Sequence, residues 1–226
     1  MSRVAIFLEV EKASVLIVGA GPVGARRARS MLDCGAIVRV VATRVGPEMA
    51  VLTGGRNLEI LERQFCLTDV AGACLVLACT DDLAVQRACA LAAAERGIPC
   101  VAADRDVGAR ASLGAILRRG ALTVAVSTGG ESPALSAYVR DLLARWIGSH
   151  YGEASLLLSE FRARARTELL PVAERRQLAG RALQQGLLGL LEAGDTAAAR
   201  QLLEALHESG VGREEPEQRN DEPWKS

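Results

Sequence analysis

Ser14-Val15-Leu16-Ile17-Val18-Gly19-Ala20-Gly21-Pro22-Val23-Gly24 is the stretch on which the fold turns. Ser14–Val18 reads as a strand, and the Gly19-x-Gly21-x-x-Gly24 turn after it opens a helical pattern that runs to Cys34. In that context each glycine has a physical task. Gly19 permits the tight turn, Gly21 lets the backbone approach a pyrophosphate, and Gly24 allows the helix to pack closely on the strand. Pro22 suits an early helical position that needs no N–H. The helix N-terminus offers free N–H groups to an anion. Gly19, Gly21, Pro22, Val23 and Gly24 are therefore candidate cofactor contacts; a turn with the same glycines and no ligand is the alternative.

Working outward, Gly35 stops the helix and Ile37–Val41 reads as a second strand. A short helix at Pro47–Leu52, a strand at Leu58–Leu61 and a brief helix capped at Thr68-Asp69 follow. Next come a buried strand at Leu75–Cys79, a helix over Asp82–Arg96 closed by Gly97, and a strand at Cys100–Ala103. Strands alternating with helices predict parallel pairing, hence an α/β Rossmann-like parallel sheet over residues 1–112. The pattern then changes. Leu113–Leu117 and Leu122–Ser127 read as a strand pair around Arg118-Arg119-Gly120, and Pro133 starts a helix to about Ile147, giving a strand-helix dimerisation region at 113–150. Residues 151–210 read as a C-terminal helical domain of three or so helices, separated near Pro171 and Gly194-Asp195. Residues 211–226 have no core-forming face and read as a disordered tail.

The chain has 226 residues, 50% hydrophobic and 3% aromatic, with 27 basic and 27 acidic side chains. That balance argues against nucleic-acid binding, which needs a net basic surface and stacking aromatics. All but two of the basic residues, Lys12 and Lys225, are arginine. Codon bias explains most of that excess, while bidentate clamping of carboxylates or phosphates is the functional alternative for some. Cys34, Cys66, Cys74, Cys79, Cys89 and Cys100 form no CxxC pair and read as structural thiols. The N-terminus has early acids and no apolar core of a signal, and no stretch approaches a membrane span. A reduced, cytoplasmic setting is expected. His150 and His207 are isolated and no cluster has metal-ligand spacing, so no resident metal is expected.

NAD sites usually place an acid at the end of the second strand, where this chain has Thr43 and Arg44. Thr43 can bond a ribose hydroxyl, and Arg44 can stack on adenine or meet a 2′-phosphate. Thr80 and Asp81 end the fourth strand, at the crevice where such cofactors lie; capping the next helix with Asp81 is the alternative role.

The order of these motifs resembles a known family. Ile-Phe-Leu (6–8) precedes the glycine turn. Ala-Cys-Thr-Asp-Asp (78–82), a strand ending in Asp104, and Leu-Thr-Val-Ala-Val-Ser-Thr-Gly-Gly-Glu-Ser-Pro-Ala-Leu (122–135) follow. Over residues 3–148 this is similar to the precorrin-2 dehydrogenase / sirohydrochlorin ferrochelatase family, the N-terminal module of siroheme synthases. The resemblance implies NAD-dependent oxidation of precorrin-2 to sirohydrochlorin in a homodimer. In bifunctional members the ring then receives ferrous iron, a substrate. It places the catalytic carboxylate at Asp104, with Asp106 the nearest competitor and a helix cap or salt bridge the alternative. It gives the arginines a task on a carboxylate-rich tetrapyrrole, with Arg105, Arg110, Arg118, Arg119 and Arg140 as candidates. Ser127, Thr128, Gly129 and Gly130 are candidates for holding an anionic side chain, or a simple strand-to-helix link. The family's proline, aromatic and second proline after the aspartate are missing from residues 105–114 here. An NAD(H)-sensing regulatory module without catalysis is the alternative function. A short-chain reductase is disfavoured, because Tyr138 is not followed by the Tyr-x-x-x-Lys lysine.

Overall fold

A computed structural model describes residues 4–104, 107–167 and 171–210. The expected tail at 211–226 lies outside the described residues, as do Arg105 and Asp106. The chain divides into two compact units, Met1–Leu113 and Gly114–Ser226.

The first unit runs β1 (Ser14–Ala20), α1 (Pro22–Leu32), β2 (Ile37–Val45), the single turn α2 (Pro47–Ala50), β3 (Leu58–Glu62), a 3-10 turn at Leu67–Val70, β4 (Leu75–Ala78), α3 (Leu83–Glu95) and β5 (Cys100–Ala102). The sheet order is β3-β2-β1-β4-β5, and every pairing is parallel. Alternate residues of β1 feed opposite faces. Val15 and Ile17 join a cluster with Ala25, Ala28 and Met49, whereas Leu16 and Val18 join one with Val70, Cys89 and Ala93. Helices therefore cover both faces, which is why β1 and β4 are continuous apolar runs instead of alternating ones. Burying side chains such as Leu16, Ile17 and Leu77 contributes about 1.5–3 kcal/mol each. Chain direction along the sheet reverses between β1 and β4, so a crevice opens at their carboxyl ends.

Two details differ from expectation. β2 continues to Val45 because it bulges: β1 advances from Val18 to Ala20 while β2 advances from Val41 to Val45. The turn expected to be capped at Thr68-Asp69 starts at Leu67, and Asp69 instead reaches back to accept from the Cys66 N–H at 2.8 Å.

In the second unit β6 (Ala115–Arg119) and β7 (Leu122–Val126) pair antiparallel, followed by α4 (Pro133–Trp146). Four helices follow where three were expected: α5 (His150–Thr167), α6 (Val172–Gln184), α7 (Leu187–Glu192) and α8 (Thr196–Gly210). The additional break, at Gln185-Gly186, is hidden because apolar spacing continues across it. Leu157, Phe161, Leu178, Leu187, Leu191 and Leu203 form their core. His207 is buried there, its ring edge-on to Phe161 with centroids 5.7 Å apart. Among the described residues no helix is long and apolar enough to cross a membrane.

Candidate functional site

The glycine turn is built by close contacts. Gly19 has φ +108°, and a Cβ there would lie 2.5 Å from the Cys79 carbonyl oxygen, so only glycine fits between β1 and β4. A Cβ at Gly24 would run into the Gly19 carbonyl, which sets how closely α1 approaches the strand. Gly21 differs: it is the N-cap of α1, has no side-chain cap bond, and a Cβ there would meet nothing within 4 Å. Its open side is the space a pyrophosphate would take, and the first-turn N–H groups beyond Pro22 are the donors for it. Pro22 and Val23 form that first turn and are not among the residues lining the crevice.

The crevice has a volume of about 470 Å³ and brings together Gly19, Gly21, Thr43, Arg44, Thr80 and Asp81. Thr43 and Arg44 stand exposed on the bulge of β2. Arg63, Gln64 and Phe65, just past β3, line it too. Sequence reading missed them; the signal available was their place at the carboxyl edge of a parallel strand. Arg63 grips Asp69 with both terminal nitrogens, at 2.8 and 2.7 Å. Hydrogen bonding from Arg63 holds the Asp69 carboxyl below the usual range, and the same bond raises the guanidinium. Burial pushes the Cys79 thiol up to about 11, so it stays protonated near neutral pH and acts as wall rather than nucleophile. Burial raises Cys89 to about 12 and Cys100 to about 11, whereas Cys66 is exposed, unlike the buried structural thiol expected.

At the far wall, the cap of α3 is Asp82, not Asp81: its Oδ1 accepts from Ala84 N at 2.8 Å and Val85 N at 3.2 Å. Asp81 is therefore free of that duty and exposed at the crevice. Asp104, half-buried beyond β5, donates its backbone N–H to Gln86 Oε1 at 3.1 Å. Gln86 Nε2 in turn donates to the Thr80 carbonyl at 2.7 Å. Gln86 is a second residue that sequence reading missed, since a helical glutamine carries no signature. Arg110 is exposed after β5.

In the second unit, Thr128 Oγ1 donates to the Ser132 carbonyl at 3.0 Å and accepts from Ser132 N at 2.9 Å. Ser127 Oγ accepts from Gly129 N at 3.2 Å. Gly129 and Gly130 both have positive φ, +66° and +86°. The hydroxyls thus hold the loop itself. Arg119 donates Nε to the Ile147 carbonyl at 2.8 Å and Nη2 to Ala144 at 3.2 Å, fastening the end of α4. Arg140 pairs with its neighbour Asp141 at 2.7 Å. Both arginines carry structural bonds where substrate contacts were considered.

Residues 6–115 match a family model described as "Putative NAD(P)-binding", and residues 119–145 match one described as sirohaem biosynthesis protein central. The siroheme synthase of Pseudomonas paraeruginosa is 37% identical over 212 residues, covering 93% of this chain and 45% of that protein. Siroheme synthase 1 of Aeromonas salmonicida is 32% identical over 213 residues, covering 94% and 46%. The chain spans about half the length of the curated relatives it matches. The solved structure of SirC, described as a precorrin-2 dehydrogenase, shares the fold, with a TM-score of 0.72 over 91% of this chain and 100% of that one at 21% identity.

Proposed function

We propose that the chain is the dehydrogenase module of the siroheme synthase family and that it oxidises precorrin-2 to sirohydrochlorin with NAD+. The observation that carries this reading is the glycine-opened crevice with the Asp104 backbone tied, through Gln86, to its Thr80 wall. Bound at the α1 N-terminus, NAD+ supplies the hydride acceptor. The Asp104 carboxylate would take up, as H+, the second ring hydrogen lost beside the hydride, so that the two-electron oxidation of the ring is balanced by one hydride to the acceptor and one proton to this side chain. Gly19, Gly21 and Gly24 shape the pyrophosphate seat, and Thr43, Arg44, Thr80 and Asp81 border the rest. Arg63 is held by Asp69 and so is taken up away from a 2′-phosphate, and Arg44 at the crevice is the residue whose replacement tests NAD+ against NADP+. Arg105 and Arg110 are our candidates for the substrate's carboxylates. Its place is the cytoplasm, a setting that suits six cysteines standing as free thiols.

The test follows NADH absorbance after mixing the protein with precorrin-2 and NAD+. NADH should appear, and Asp104→Asn should slow its formation about a thousandfold with cofactor binding retained. A chain that binds NAD+ yet makes no NADH is a sensing module. Ferrous iron added to sirohydrochlorin in the same mixture tests insertion as a second activity. For assembly, we assign a homodimer through α4, whose Leu135, Tyr138 and Trp146 form an exposed apolar stripe. A monomeric mass in solution would reject it.

A further inference from the structure

Gln86 lies inside α3 and is only 3% exposed. The residues around it on that helix, Cys89, Ala90 and Ala93, belong to an apolar cluster, so packing alone would be served by an apolar side chain. A buried carboxamide is costly unless both of its ends are paired. Here both are: Nε2 donates to the Thr80 carbonyl and Oε1 accepts from the Asp104 N–H. The register of β4 and β5 runs from Val76–Cys100 to Ala78–Ala102 and stops there. Beyond it, the Gln86 side chain joins the two strand ends, one of which lines the crevice. The helix bearing it is pinned to the same wall, because Asp82 caps α3 and donates its N–H to Thr80 Oγ1 at 3.2 Å.

We propose that Gln86 is a positioning residue, which holds the Asp104 backbone in fixed register with the Thr80 wall so that the carboxylate meets the proton it must accept. The proposal rests on the reading of Asp104 as that acceptor. No hydrocarbon side chain supplies either bond, and a carboxylate supplies the donor only while protonated.

The experiment uses the full chain with precorrin-2 and NAD+, comparing Gln86→Met, Gln86→Glu and Asp104→Asn with the parent. Gln86→Met should lower kcat about tenfold to a hundredfold, while KM for precorrin-2 and Kd for NAD+ stay within about threefold. Gln86→Glu keeps the acceptor for Asp104 N–H. Burial raises that carboxyl's pKa, so its kcat relative to the parent should be highest at low pH and fall as pH rises. Parent-like kcat in Gln86→Met overturns the proposal and leaves the Asp104 reading standing. Loss of cofactor affinity and thermal stability in step with kcat also overturns it, reducing Gln86 to fold support. Should Gln86→Met not fold, a pH-independent ratio for Gln86→Glu overturns it instead. Parent-like activity in Asp104→Asn overturns the reading itself, and this proposal with it.

Discussion

Two junctions in this molecule look alike as sequence: a strand ends, small residues follow, and a helix opens on a proline, at Pro22 and again at Pro133. Their hydrogen bonding separates them. At the second, Ser132 Oγ accepts from Leu135 N, the Thr128 hydroxyl accepts from Ser132 N, and the Thr128 carbonyl accepts from Glu131 N. At the first, no side chain caps the helix, and the N-cap glycine faces open space. Glycines mark room in both places. The first junction has no side-chain cap for its first-turn donors, whereas at the second Ser132 meets the Leu135 N–H, so the first has more donors to offer an anion.

The comparison breaks most readily at Gly21. Gly21→Ala should weaken NAD+ binding about tenfold to a hundredfold, as a methyl group in that open space keeps charge-assisted bonds from forming. Its melting temperature should barely move, since the added Cβ meets nothing. Titration calorimetry beside a thermal melt reads both; parent-like affinity would make the two junctions equivalent. Thr128→Val should do the reverse, lowering stability by about 2 kcal/mol through lost loop bonds with NAD+ affinity unchanged. Gly129→Ala should cost about 1 kcal/mol, for its backbone at φ +66° disfavours a Cβ although space is free. Acid sharpens the contrast last. Because Arg63 depresses the Asp69 carboxyl, that pair's stabilisation is complete above the ordinary carboxylate range of about pH 4 and is lost as pH falls through the lower folded value. The stability gap between parent and Asp69→Asn should therefore close in acid. The gap for Thr128→Val should not, since hydroxyls and backbone do not titrate there.

What could be read from the sequence was what is local. Strand, glycine turn and helix at 14–32 follow one another, and the three glycines declare their tasks by spacing alone. The parallel sheet followed from alternation of elements. Gln86 could not be read this way: its partners lie six positions before it and eighteen after it, and nothing in its own neighbourhood asks for an amide. Arg63 became part of the crevice because β3 ends beside β2 in space, a fact of sheet order. Asp81 and Asp82 are chemically identical and adjacent, so which one caps α3 is decided by backbone angles that composition does not encode. The bulge that carries Thr43 and Arg44 is likewise a matter of register between strands.

Sheet order also has a consequence in time. The helical half and its hairpin join segments that are neighbours along the chain, such as Arg119 with Leu122. The central sheet must bring Val15 to Leu75 across the whole of β2 and β3. Closing so long a loop is entropically demanding and slows folding. Gly19 lodges against Cys79, which immediately follows β4, so the nucleotide seat cannot exist until that late contact is made. A complete chain refolding from the unfolded state would thus hold its hairpin before it could hold a cofactor, and cofactor binding would report on the pairing of β1 with β4.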